Sequence, residues 1–145
     1  MLSITPDPID SQTLVDAVTR PEAGAIATFL GVVRNNNLGR TVGHLVYDAY
    51  PMMAERYMRA IANEVHERWD VLEVAILHRI GRLEIGEVSV AIAVSSAHRK
   101  EALEACHYAI DRLKEIVPIW KKEVWDNGEE WIEGCLVHDQ DITPL

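Results

Sequence analysis

Residues 88–118 read VSVAIAVSSAHRKEALEACHYAIDRLKEIVP, and their periodicity decides the fold. Val88, Val90, Ile92 and Val94 alternate with Ser89, Ala91, Ala93 and Ser95, the two-residue period of a strand. From Arg99 the period lengthens. Ala102, Cys106, Ala109, Leu113 and the pair Ile116-Val117 share one stripe of a helix predicted over residues 99–117, which Pro118 stops.

Upstream, Pro51 suits a first helical turn, and Ala54, Tyr57, Met58, Ile61, Val65 and Trp69 predict an amphipathic helix over residues 51–69. Leu72, Val74 and Ile76 alternate in a half-buried strand, while Arg79 to Glu87, with Gly81 and Gly86, reads as a connection. Ala25 to Val33 is a continuous apolar run with β-branched members, a buried strand. Arg34 to Arg40 (RNNNLGR) is a loop by composition, and Val42 to Tyr50 returns as a strand. Asp10-Ser11 caps a short helix through Leu14, Val15 and Val18 that ends before Pro21. Downstream, Trp120 to Trp125 and Glu130 to Cys135 flank Asp126-Asn127-Gly128-Glu129, and Asn-Gly is a strong hairpin signal. After the leading helix the order is β-loop-β-α-β-β-α-β-β. It predicts an α+β fold: a single domain over residues 1–145 with a largely antiparallel sheet, two long helices and a C-terminal β-hairpin.

Composition narrows the function. With 48% hydrophobic and 26% charged residues, the 145-residue chain can bury a core. No apolar run reaches the roughly 18 residues of a membrane span. Met1 to Asp10, carrying Pro6, Asp7 and Pro8, lacks the basic start and apolar stretch of a secretory signal. The two cysteines, Cys106 and Cys135, have no Cys-x-x-Cys spacing, which argues against zinc or a disulfide framework and leads us to expect the reducing cytoplasm. A net charge of −9 disfavours nucleic acid and anionic membrane as partners.

Against that acidic background a few cations stand at element ends. Ser95-Ser96-Ala97-His98-Arg99 lies where strand gives way to helix; unpaired N–H groups with an imidazole and a guanidinium suit a phosphate or carboxylate. The plainer reading is a solvated helix start. Lys114, in the last turn, either complements the helix dipole or serves proton transfer or acyl attack. Lys121 and Lys122 occupy the middle of a strand between Trp120 and Trp125, so they point to opposite faces. They guard an edge strand against aggregation, or one of them lines a cleft. Arg34 and Arg40 bracket the Asn-rich loop, where solubilising charge is the simplest account. His44, His66, His78, His107 and His138 show no metal-ligand spacing, and no phosphate-binding loop, Gly-x-Gly-x-x-Gly or Gly-x-Ser-x-Gly is present. Cys106 lies on the apolar stripe and reads as core; Cys135 has no basic neighbour in sequence to activate it.

Five stretches together carry a resemblance. Phe29-Leu-Gly-Val-Val-Arg34-Asn35, His78-Arg-Ile-Gly-Arg-Leu-Glu-Ile-Gly-Glu87, Ser96-Ala-His98-Arg99, Asp111-Arg-Leu-Lys114 and Pro118-Ile-Trp-Lys121-Lys122-Glu123 resemble, in order and spacing, the molybdopterin synthase catalytic (large) subunit family. The likeness covers about residues 22–135 and departs from the family's usual pattern at Leu103 and over residues 134–136.

That resemblance implies an α/β-hammerhead-like fold and a sulfurtransferase of molybdenum cofactor biosynthesis. Such an enzyme converts cyclic pyranopterin monophosphate to molybdopterin, with sulfur from the C-terminal Gly-Gly thiocarboxylate of a small ubiquitin-like partner. It also implies a homodimer within a heterotetramer, with the substrate pocket near the dimer contact, and no resident cofactor or metal. Arg34, His98 and Arg99 match the family's substrate-anion positions, Lys114 and Lys121 its catalytic lysines, and Lys122 belongs to the same substrate-binding segment. A thiocarboxylate is already an anionic nucleophile, so no catalytic cysteine is needed. Cations are needed, because two anions must meet in low dielectric. Two rival readings are a binding module of the same fold, which could dispense with a lysine pair, and a phosphoryl-transfer enzyme with His98 as base. The second would need another base or a metal set, and the sequence shows neither.

Overall fold

The computed structural model describes residues 1–37, 39–125 and 128–133. In chain order the elements are β1 (Leu2–Thr5), α1 (Ser11–Val18), β2 (Ala25–Val32), β3 (Asn36–Asn37), β4 (Arg40–Thr41), β5 (His44–Ala49), α2 (Pro51–Arg68), β6 (Glu73–Arg79), β7 (Gly81–Glu84), β8 (Val88–Ser96), α3 (Arg99–Ile116), β9 (Ile119–Trp125) and β10 (Gly128–Glu133). Asp10 caps α1, accepting the Gln12 N–H at 3.0 Å. Pro51 opens α2 and Val117 ends α3 just before Pro118.

The strands form two four-stranded sheets rather than one. The first has the order β1-β6-β8-β2 and the second β10-β9-β5-β7, with β3 and β4 a two-residue ladder inside the predicted loop. Every pairing is antiparallel except β1 with β6. β1 is too short to show a periodic signal, and it joins the sheet through Ile76 and its neighbours. β7 corrects the reading of residues 79–87 as a connection. Gly81 and Gly86 adopt φ of +92° and +88°, and between them Arg82-Leu83-Glu84 pairs with β5 and buries Leu83 completely.

The central strand β8 explains the packing. Val90, Ile92 and Val94, with Val74 and Ile76 of β6, meet Met58, Ile61 and Val65 of α2 and Ala102, Ala109 and Leu113 of α3 in the main core. Each large side chain buried there contributes about 1.5–3 kcal/mol. The opposite face carries Ala75, Ala91 and Ala93, small enough for Leu14 and Val18 of α1 to pack closely. The small-residue rows of β6 and β8 are therefore covered by the first helix. A third cluster, Val33, Val42, Leu45 and Leu83, ties the second sheet to the end of β2. Cys106 is buried in the main core, and burial pushes its thiol up to about 11, which keeps it inert.

β9 and β10 form the expected hairpin in the register Gly128↔Trp125 to Glu133↔Trp120. Asp126 and Asn127 of its turn, Cys135 and His138 lie outside the described residues.

Candidate active site

Elements from both sheets and one helix end converge on a cavity of about 240 Å³. Arg34 enters just past the end of β2, Asn37 from β3, Tyr47 from β5 and Lys114 from the last turn of α3, while β9 supplies Lys121 and Glu123. The period of two places Ile119, Lys121 and Glu123 on the inner face of β9. Ile119 and Glu123 are each only 2% exposed. The negative end of the α3 dipole favours a cation at Lys114. Among the described residues neither Arg34 nor Lys114 forms an ion pair.

The electrostatics follow from this membership. Arg34, Lys114 and Lys121 outnumber the single carboxylate of Glu123, in a chain whose net charge is −9. Glu123 is held in place, its Oε2 accepting from Asn37 Nδ2 at 2.6 Å. A concave site that gathers cations while the protein as a whole is anionic is suited to a compact anion.

A smaller chamber of about 40 Å³ adjoins the cavity, and Tyr47, Ser89, Lys114 and Lys121 line both. His78 of β6 also lines the chamber, its ring edge-to-face with Tyr47 at 5.0 Å. Burial depresses the His78 imidazole from its ordinary 6.5 to about 4. The contact with the Arg79 carbonyl opposes that shift and the charge of Lys114 adds to it.

The other predicted site residues lie elsewhere. His98 is the N-cap of α3 and Arg99 its first residue. At 1.5 Å per residue Arg99 stands about 22 Å along the helix from Lys114. Lys122 points to the outer face of β9, with Nζ 3.3 Å from Glu129 and 5.4 Å from the centre of the Trp131 ring. β9 is paired on both sides, so its lysines are not edge guards. Arg40 rests over Trp125 at 4.5 Å and near Glu130 at 3.5 Å, a surface role on the hairpin.

Glu123, Tyr47 and His78 were not singled out as site residues from the sequence. The signal was alternation: Glu123 is in phase with Ile119 and Lys121, and His78 with Val74 and Ile76. Among the described residues no group of three His, Cys, Asp or Glu side chains could hold a metal ion. Among the described residues no helix is long and apolar enough to cross a membrane.

The MoaE protein family model matches residues 4–116. A molybdopterin synthase catalytic subunit of Halalkalibacterium halodurans is 53% identical over 134 residues, covering 92% of this chain and 86% of that protein. The crystal structure of molybdopterin synthase from Staphylococcus aureus superposes with a TM-score of 0.87 at 42% identity, covering 90% of this chain and 96% of that one. A complex of subunits 1 and 2 of molybdopterin-converting factor from Helicobacter pylori shares the fold, with a TM-score of 0.73 at 23% identity over 88% of this chain and 87% of that one.

Proposed function

This chain belongs to the MoaE family, whose relatives are molybdopterin synthase catalytic subunits, and from that membership we propose that its cationic cavity carries out the sulfur transfer. The substrate is cyclic pyranopterin monophosphate, and the sulfur donor is the C-terminal thiocarboxylate of a small ubiquitin-like subunit. The observation that carries this reading is the gathering of Arg34, Lys114 and Lys121 around one cavity of an otherwise acidic chain. A cyclic phosphate and a thiocarboxylate are both anions, and they repel each other unless fixed cations take up the charge. Arg34 binds the substrate anion. Lys114 and Lys121 stabilise the charge that develops as sulfur adds to the pterin side chain, and one of them donates a proton as it rearranges. Water then hydrolyses the thioester that joins sulfur to each donor tail, so the sulfur stays on the pterin and the tail leaves as a carboxylate.

In the same reading one domain spans the chain, and two copies pair within a heterotetramer that carries one small subunit at each end. Pairing also gives His98 and Arg99 a route to substrate. They stand too far along α3 to reach their own chain's lysines, so a second copy supplies them, with Lys122 on the flank of the same segment. In support of a small partner, the Helicobacter pylori relative is itself a two-subunit complex.

The test mixes the protein with a Gly-Gly-thiocarboxylate carrier and cyclic pyranopterin monophosphate and follows molybdopterin as its oxidised fluorescent derivative. Product is expected; its absence with the carrier still bound would favour a binding module. Arg99→Ala should weaken substrate binding by about 2 kcal/mol, the cost of removing one partner from a desolvated charge pair. Titration of substrate against the variant measures it. Mixing Arg99→Ala with Lys114→Ala chains should restore activity toward roughly a quarter of normal, since half of a random dimer population is mixed and carries one intact site. No recovery on mixing would place Arg99 in its own chain's site or in none.

A further inference from the structure

His78 is a buried titratable side chain that the mechanism above does not use. It is 5% exposed on β6, opposite Val90 of β8, and it faces the small chamber that backs onto the cationic cavity. Its Nδ1 lies 2.8 Å from the carbonyl oxygen of Arg79. A carbonyl can only accept, so Nδ1 carries the proton and Nε2, in the neutral ring, offers a lone pair. Around the chamber stand the Tyr47 ring from β5, Lys114 from α3 and Lys121 from β9. The chamber, about 40 Å³, has room for one water.

We propose that His78 is a positioning residue for Lys114, its Nε2 accepting a hydrogen bond from the Lys114 ammonium directly or through one water in the chamber. The inference rests on the reading of Lys114 as a catalytic cation. A buried carboxylate in this place would neutralise the lysine and repel the anionic substrate. A neutral imidazole directs the ammonium toward the cavity and leaves its charge intact. The Arg79 carbonyl sets the tautomer, as an outer partner commonly sets the working nitrogen of a histidine. Burial then keeps the ring uncharged at neutral pH, so the ring adds no charge that would repel Lys114.

The experiment uses the full chain with its thiocarboxylate carrier and compares wild type, His78→Gln and His78→Phe. Glutamine places an acceptor oxygen near the position of Nε2, whereas phenylalanine fills the space without one. His78→Phe should lower kcat by roughly 10- to 100-fold with KM changed less than about twofold, the signature of a misplaced catalytic group rather than lost binding. His78→Gln should recover most of kcat. Equal losses in both variants, or a loss confined to KM, would overturn the proposal.

Nitrogen-15 NMR on the wild-type protein provides a test independent of turnover and of variant folding. The expected spectrum shows His78 as the Nδ1–H tautomer, with a slowly exchanging Lys114 ammonium coupled to Nε2 or to a bound water. An Nε2–H tautomer, or a Lys114 ammonium in rapid exchange with bulk water, would overturn the proposal even if the enzyme is active. If the wild type makes no molybdopterin, the sulfur-transfer reading fails while the NMR result still decides the His78–Lys114 contact.

Discussion

Lys114→Ala and Lys121→Ala should each lower molybdopterin formation by at least about 10³-fold, equivalent to roughly 4 kcal/mol of transition-state stabilisation. Both side chains line the one cavity that also holds Arg34, and the reaction proposed for it develops charge in a site partly closed to water. Neither change should unfold the protein. Lys114 lies on the exposed side of α3, and β9 keeps its ladders to β5 and β10 when the Lys121 side chain is shortened. Because the two lysines act on one reacting centre, the double variant should be little worse than either single one. Single-turnover assays with excess carrier, paired with circular dichroism, check this. Near-normal turnover by both variants would remove the lysines from the mechanism.

Acid should destabilise the protein by about 3 kcal/mol through His78 alone. The folded ring titrates at about 4 and the unfolded one at its ordinary 6.5. Between these values the unfolded chain binds a proton that the folded chain refuses, so stability falls as pH falls. The contribution is intact above about 6.5 and lost below about 4. Lys114, Lys121, Tyr47 and the Arg79 carbonyl all face or adjoin the ring, and burial is the largest cause of the shift. Glu64 adds a loss at lower pH. Burial raises its carboxyl, but hydrogen bonds from Arg112 and Tyr108 outweigh that and hold it below its ordinary value, so its stabilisation disappears as it protonates. Urea unfolding of wild type and His78→Gln from pH 7 to 4 separates the two. The His78→Gln curve should be the flatter of the two across this range, because glutamine removes the titration, and parallel curves would refute the assignment.

Much of the fold was legible along the chain. The periods of α2, α3 and β8, Pro51, Pro118 and the flanks of the hairpin are local, because a helix or strand face repeats within a few residues. β1 and β7 were not legible. Each is four residues long and is held by a strand distant in sequence, β1 by β6 and β7 by β5. The alternation of β8 was read correctly, but its meaning was not local. The alanine face became interior only because α1 lies across it.

The candidate site divides in the same way. From the sequence alone came the residue types and the strand period: Lys121 and Lys122 face opposite ways, and Arg34, Lys114 and Lys121 belong to a set matching one enzyme family. The tertiary structure decided which of them share a cavity. It brought Arg34, Lys114 and Lys121 together, added Glu123 and His78 from strands, and left His98 and Arg99 at the far end of α3. The physical reason is range. Backbone geometry sets the direction of a side chain within one element, whereas a cavity exists only where separate elements pack and leave a space between them.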